Sequence, residues 1–175
     1  MKTSSILVSG QFQYTTGIGT SGMIDGVRGR LLNGWTLTGD LKAGSGLPLT
    51  PVYLTSVAGT GVTGTIRPDL VGSPQPVDQD SFANPSAYRA PAPGQWGSAA
   101  RNSITGPAQF WFDAGIGRSF LWGDRLSLDW RISATNVLNR VTYAVVNTIA
   151  GSPQFGLPVQ ANVMRKLQSS LRLRF

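Results

Sequence analysis

The chain of 175 residues carries a net charge of +7 and contains neither Cys nor His. Without these residues it can hold no disulfide, no Ser-His or Cys-His pair and no zinc site of the usual kinds, so we expect no catalytic, cofactor or metal site. The basic residues are spread along the chain rather than clustered, and we therefore expect no nucleic-acid partner.

The composition favours β structure. The chain has 22 Gly and 11 Pro, and all of its eight acidic residues are Asp, so typical helix-forming residues are scarce. No stretch approaches the roughly 18 apolar residues of a membrane helix.

Five segments alternate between apolar and polar residues, as strands with one apolar face do. In the first, Ile6, Val8, Phe12 and Tyr14 share a face. In the last, one face is basic or polar and the other carries Leu167, Ser169, Leu171, Leu173 and Phe175. The predicted strands cover residues 5–15, 34–50, 109–121, 125–138 and 164–175.

These strands have the length and pattern of membrane-spanning strands, which need about 9–11 residues and face lipid with their apolar side. We predict an all-β fold: a fragment of an antiparallel transmembrane β-barrel whose five long strands form an open, curved sheet. The sheet cannot close alone, because the smallest single-chain barrels have about eight strands.

The connections alternate between short and long. Residues 121–125 predict a tight hairpin turn, whereas residues 17–33 form a Gly-rich link. Residues 51–107, which hold eight of the 11 prolines, and residues 139–163 predict long loops. Outer-membrane barrels have short periplasmic turns and long external loops, so we expect the two long loops to be external.

Centring the tight turn on Gly123 predicts a register for the hairpin. It places Gly117 opposite Asp129 and Gly115 opposite Arg131. We expect the inward charges of these strands to form cross-strand ladders in the lumen rather than substrate contacts.

Aromatic residues test the directions of the strands. Under this topology Tyr14, Trp35 and Phe120, like Phe175, fall at periplasmic strand ends, and Trp122 lies in the turn. Such residues form the aromatic girdle of a membrane interface. Arg118 breaks the apolar face two residues before Phe120, at a depth where a charge costs only about 0–1 kcal/mol.

The N-terminal residues 1–8 are similar to a secretion signal for only a few positions, and the apolar run then breaks at Ser9 and Gly10. Because an outer-membrane protein needs such a signal, either the membrane interpretation is wrong or this chain is a piece of a longer one, as we expect.

Several motifs resemble those of TonB-dependent outer-membrane receptors, and most closely the large Oar-like group that carries a carboxypeptidase-regulatory-like domain. The matching segments are residues 31–39 (LLNGWTLTG), 45–51 (SGLPLTP), 67–72 (RPDLVG), 82–85 (FANP), Gly97 with 101–103 (RNS), 106–107 (GP), 136–139 (NVLN), 151–153 (GSP) and 155–156 (FG). They cover nearly the whole chain in order.

The resemblance implies a wall and loop segment of a 22-stranded barrel around an N-terminal plug. The expected partners are outer-membrane lipid and the barrel-assembly machinery, with TonB contacted only through the missing plug region, and the expected location is the cell outer membrane. Leu171, Leu173 and Phe175 resemble the assembly signal of such barrels. Asp129 and Arg131 have signs opposite to the family's usual pair.

Other motifs have structural interpretations. The glycines around Ser45 lack the spacing of a nucleophile elbow, and residues 115–117 (GIG) precede no helix, so a phosphate loop is disfavoured. Asp78 and Asp80 are better explained as solvated loop carboxylates than as cation ligands. Three functions stay open: a receptor segment, a structural or adhesive outer-membrane barrel, and a soluble β-sandwich binding module.

Overall fold

The computed structural model describes residues 5–16, 26–123 and 125–175. In chain order its elements are β1 (Leu7–Thr15), α1 (Gly26–Leu32), β2 (Trp35–Gly44), β3 (Pro48–Leu49), β4 (Asp69–Leu70), a 3₁₀ turn (Pro85–Ala87), β5 (Tyr88–Arg89), β6 (Ile104–Thr105), β7 (Gln109–Trp122), β8 (Leu126–Thr135), β9 (Tyr143–Val146), β10 (Pro158–Ala161) and β11 (Lys166–Arg174). None of the helices in these ranges has the length and apolarity needed to cross a membrane.

The five long strands form one sheet with the order β1-β2-β7-β8-β11. Strands β7, β8 and β11 pair antiparallel, and the bonds from Thr16 N–H to Trp35 O and from Ser45 N–H to Ile6 O set β1 antiparallel to β2. Strands β1 and β11 are the two edges, so the sheet is open. The prediction of an open antiparallel sheet of five long strands is confirmed.

Two predicted boundaries were too generous. The strand predicted over 34–50 ends at Gly44, and Pro48–Leu49 pairs instead with β6. The strand predicted over 125–138 ends at Thr135, because Asn136 adopts φ +49°, a left-handed conformation that stops a strand. The link predicted over 17–33 contains α1, and residues 17–25 of that link lie outside the described residues.

The predicted hairpin register was wrong by two residues. The structure places Gly117 opposite Arg131 and Ser119 opposite Asp129. Trp122 pairs with Leu126, so three residues separate the strands, and the symmetry of the hairpin is centred on position 124 rather than 123. The number of loop residues sets the register of a hairpin, and the sequence motif left that number open.

The chain divides into two compact units. The sheet unit contains Val8–Ala43, Phe110–Arg140 and Val163–Phe175. The loop unit contains Gly44–Gln109 and Val141–Asn162, together with residues up to Leu7, so the two segments predicted as long loops fold together.

The loop unit has its own hydrophobic core, whose buried members are Ala83, Ala87, Tyr88, Ala99, Ile104, Ala150 and Phe155. Tyr88 and Phe155 meet edge to face with ring centroids 5.1 Å apart. The backbone of Val52 bonds to both Thr148 and Ala150, which ties the first predicted loop to the second. The prediction of long loops was therefore incomplete, because these segments form a packed unit.

Candidate functional site: the two faces of the five-stranded sheet

One face of the sheet is apolar. Across β7 and β8, Ile116 lies opposite Ile132 and Phe120 opposite Leu128; across β8 and β11, Trp130 lies opposite Leu171. Leu171 is 67% exposed, so no second layer covers it within the described residues. An exposed apolar face of this kind needs a nonaqueous partner, and lipid meets that need in an outer-membrane barrel.

Side chains on the apolar face pack closely between β1 and β2. The ring of Phe12 on β1 lies against Gly39 on β2, where a methyl group added to Gly39 would overlap the ring. A glycine opposite an aromatic residue lets the ring lie flat across the neighbouring strand. Residues of the apolar face thus contact their neighbours on adjacent strands, although the outer side of the face is exposed.

The residues predicted as an aromatic girdle lie at one end of the sheet. Phe120 and Trp122 stack with centroids 6.1 Å apart, and Trp35 meets Trp130 edge to face at 5.9 Å. Tyr14 lies on β1, next to Thr15, whose hydroxyl is 3.3 Å from that of Thr36. The structure therefore brings aromatic residues of β2, β7 and β8 into one cluster. Tyr14 lies at the same end of the sheet, near the C-terminus of the edge strand β1.

The centre of this cluster includes two residues that the sequence prediction left out of the girdle. The Arg118 guanidinium carbon lies 5.6 Å from the centroid of Trp35 and 4.9 Å from that of Phe120, and Trp130 is the residue opposite Arg118. The alternation had placed Trp130 outward, but only the β7–β8 register shows that it faces Arg118.

The opposite face is polar. Its charged residues, by alternation along the strands, are Lys42, Arg131, Lys166, Arg172 and Arg174 with Asp40, Asp113 and Asp129. A groove of about 750 Å³ on this face is lined in part by Arg131, Arg172 and Arg174. The surplus of basic groups gives the face a positive potential.

Several of these charges pair across strands. Arg174 Nη2 donates to Asp129 Oδ2 at 2.7 Å, and Ser119 Oγ donates to Asp129 Oδ1 at 2.5 Å. Gln11 Nε2 on β1 donates to Asp40 Oδ2 on β2 at 2.6 Å, and Lys42 Nζ, on the same strand as Asp40, lies 3.4 Å from Asp40 Oδ1. The bond between Arg174 and Asp129 is a cross-strand charge pair of the predicted kind, although the strand register differs from the predicted one.

Asn136, directly after β8, bonds to β7 and to the segments around Arg140 and Val163 at the other end of the sheet. Its backbone N–H donates to Asp113 Oδ1 at 2.8 Å, and its Nδ2 donates to the carbonyls of Arg140 at 3.0 Å and Val163 at 3.3 Å. Its Oδ1 accepts from Arg140 N–H at 3.0 Å, and the residue is 4% exposed. Asn136 begins the NVLN motif, so the motif has a structural role that the sequence did not reveal.

The proposed assembly-signal residues lie at the end of β11. Leu171 and Leu173 face Trp130 and Leu128, on the apolar side of the sheet. Phe175 follows the strand, which ends at Arg174, and is 98% exposed. The side chain of Phe175 therefore contributes almost nothing to packing within the described residues.

The glycines around Ser45, the GIG segment at 115–117 and the two loop aspartates lie as follows in the structure. Ser45 Oγ accepts from the Ile6 N–H at 2.8 Å, beside a close approach of Gly46 to the Gly106 carbonyl. Gly115 lies inside β7, where an added Cβ would stand 2.8 Å from Thr38 Oγ1. Asp78 and Asp80 are exposed in the loop unit.

Comparisons with known proteins agree with this geometry. A search of curated proteins and a search of solved structures found no match. The family model described as "Outer membrane beta barrel domain" matches residues 3–168. This match spans most of the chain and indicates an outer-membrane location. The chain therefore belongs to the outer membrane β-barrel domain family.

Proposed function

We propose that this chain supplies wall strands and external loops to a TonB-dependent outer-membrane receptor that takes up a substrate. Its wall role follows from the family. The dependence on TonB is the proposed part, and it rests on the receptor-like motifs and on how the residues of those motifs are used.

The contacts of the RPDLVG segment with residues 97–99 are the main support. Arg67 Nη1 donates to the Ala99 carbonyl at 2.9 Å, and Asp69 Oδ1 accepts from Ser98 N–H at 3.0 Å. The backbone of Gly97 lies so close to the Arg67 carbonyl that no side chain would fit. The RPDLVG segment and the run around Gly97 thus fold against each other, so two of the receptor-like segments belong to one loop structure.

The open edges of the sheet support a larger barrel. Strands β1 and β11 have neighbours on one side only among the described residues, and unpaired edges promote association. Since about eight strands are the minimum for a single-chain barrel, at least three further strands must complete the wall. A large receptor barrel would provide them.

A structural or adhesive barrel is the alternative. The loop unit supports it, because a loop region with its own core can present a fixed surface without any transport step. The soluble β-sandwich does not hold, since the long strands form one layer and the family resides in the outer membrane.

The two remaining functions differ in their dependence on TonB. The protein that contains this chain would be isolated from outer membranes, mapped by peptide mass spectrometry and cross-linked with the purified periplasmic domain of TonB. The receptor function predicts a plug and a TonB box ahead of this chain and a specific cross-link to TonB. A barrel without a plug and without this cross-link would establish the structural or adhesive alternative.

A further inference from the structure

Arg118 places a charge on the apolar face of β7. The outward residues around it are Ile116 and Phe120 on the same strand and Trp130 on the neighbouring strand. A charge on a lipid-facing surface costs about 2–4 kcal/mol at the midplane but only about 0–1 kcal/mol near the interface. Because the cost is small only near the interface, the presence of Arg118 on this face indicates that it lies near the head groups.

Aromatic rings hold this charge in place. The Arg118 guanidinium lies over Trp35 and Phe120, at 5.6 and 4.9 Å from their centroids, and Trp35 is itself braced by Trp130. Because cation–π contacts and packing restrict the long side chain, less conformational entropy is lost when it binds a ligand. The side chain is partly pre-organised.

A second arginine–aromatic pair marks the other side of the membrane. Arg140 lies over Phe110, with its guanidinium carbon 5.3 Å from the ring centroid. Phe110 and Phe120 are ten residues apart on β7, which is about 33 Å along a strand. At a strand tilt of about 40° this becomes about 25 Å across the membrane, the height of the apolar band of such barrels.

We infer that Arg118 binds the phosphate of an anionic phospholipid at the membrane interface, within the aromatic frame of Trp35, Phe120 and Trp122. The planar guanidinium matches two phosphate oxygens, and this contact uses two of its five N–H donors. Trp122 stacks on Phe120 and is 55% exposed, which places an amphipathic indole beside the head group.

This site depends on the lipid-facing orientation and not on transport through TonB. The same chemistry could attract free phosphate, but the position of Arg118 on a lipid-facing strand favours a phosphate attached to acyl chains. Acyl chains also cover the neighbouring apolar residues Ile116 and Leu171. The occupant is therefore a lipid molecule rather than an ion.

The test uses the full protein that contains this chain, extracted from outer membranes in mild detergent and analysed by native mass spectrometry. Phosphatidylglycerol, phosphatidylcholine and inorganic phosphate would each be titrated into the wild type. The inference predicts preferential retention of phosphatidylglycerol, with no displacement by inorganic phosphate. Equal retention of the two lipids, or full displacement by phosphate, would overturn it.

Substitutions then assign the site. Arg118→Gln should weaken phosphatidylglycerol retention roughly tenfold, the loss expected for one charged hydrogen-bonding group. Arg118→Lys should keep part of it, because the charge stays while the two-pronged contact is lost. Arg140→Gln is the matched control at the opposite end and should leave this fraction of bound lipid unchanged.

Folding must be verified for each variant by its heat-modifiable migration in gel electrophoresis. If Arg118→Gln fails to fold, Arg118→Lys decides: weaker retention than the wild type supports the site, and unchanged retention overturns it. Retention that falls equally in Arg118→Gln and Arg140→Gln would also overturn it, because the effect would then reflect overall charge.

Discussion

The ring of Phe12 occupies the space that a Cβ of Gly39 would need on the adjacent strand. This contact joins β1 to β2 on the apolar face, at a position where β1 has no strand on its other side in the sheet. The edge strand is therefore held by side-chain packing in addition to the hydrogen bonds of its single neighbour.

Replacing Gly39 tests this contact. Gly39→Ala should destabilise the folded protein by about 1–3 kcal/mol, because the new methyl group displaces the ring. Urea unfolding in lipid vesicles, followed by Trp fluorescence, would measure it. Gly10→Ala is the matched control on β1, since nothing lies within 4 Å of its added Cβ. Equal effects of the two substitutions would contradict the account.

Asn136 should be the most sensitive position at the other end of the sheet. Asn136→Ala removes three side-chain hydrogen bonds and puts Ala at φ +49°, so we expect a loss of about 2–4 kcal/mol. Asn139→Ala serves as control, because Asn139 has φ +50° but is exposed and makes one side-chain bond, to Arg165 N–H. A loss no larger than that of the control would show that the strand junction does not depend on Asn136.

The sequence predicted the sheet well, and the reason is physical. Alternation is a local signal. Each of the five long strands has one apolar and one polar face, so each carries this signal in its own sequence. The register of the β7–β8 hairpin was mispredicted because alternation does not encode the number of residues in the loop. The end of β8 was missed because it depends on a left-handed Asn136.

The loop unit was not predicted, because the residues of its core do not recur at a regular spacing in the sequence. Ala83, Ala99 and Phe155 are far apart in sequence and lack a repeating pattern, so only the folded chain shows that they meet. Of the residues in the proposed lipid site, Trp35, Phe120 and Trp122 were identified from their strand positions as an interface girdle and not as a ligand site. The place of Trp130 beside Arg118 depends on the register.

Gly97 should control the loop unit. Its Cα lies so close to the backbone of Arg67 and Pro68 that Gly97→Ala must push these segments apart. We expect faster hydrogen exchange at Ala99, whose N–H bonds to the Pro68 carbonyl at 3.0 Å, while β7 and β8 stay protected.

The control for this substitution is Gly72→Ala. A Cβ at Gly72 would meet its nearest atom at an ordinary 3.5 Å, so exchange at Ala99 should not change. If Gly97→Ala left exchange at Ala99 as slow as in the wild type, the close approach would have no energetic consequence.

Deleting Phe175 distinguishes a role in recognition by the assembly machinery from a role in the stability of the folded protein. Because it is 98% exposed, deleting it removes little packing, and the free energy of unfolding should change by less than about 0.5 kcal/mol. If Phe175 belongs to the assembly signal, its deletion in the full protein should still reduce the outer-membrane level sharply, as measured by membrane fractionation. Phe175→Tyr should be tolerated because it keeps an aromatic interface residue.

Arg174→Gln provides a control at the same strand end, where it removes only the exposed pair with Asp129. Normal outer-membrane levels after deletion of Phe175 would reject the signal role and leave an interface anchor.

Lipid on one face of the sheet and water on the other would place alternate residues of β8 in different environments. The chain has no Cys, so single cysteines can be introduced in β8 and spin-labelled without a background from this chain. Labels at Leu128, Ile132 and Ala134 should be accessible to oxygen, and labels at Ser127 and Ser133 to a water-soluble nickel chelate. Accessibility that alternates with a period of two would support the account, and uniform or reversed accessibility along β8 would contradict it.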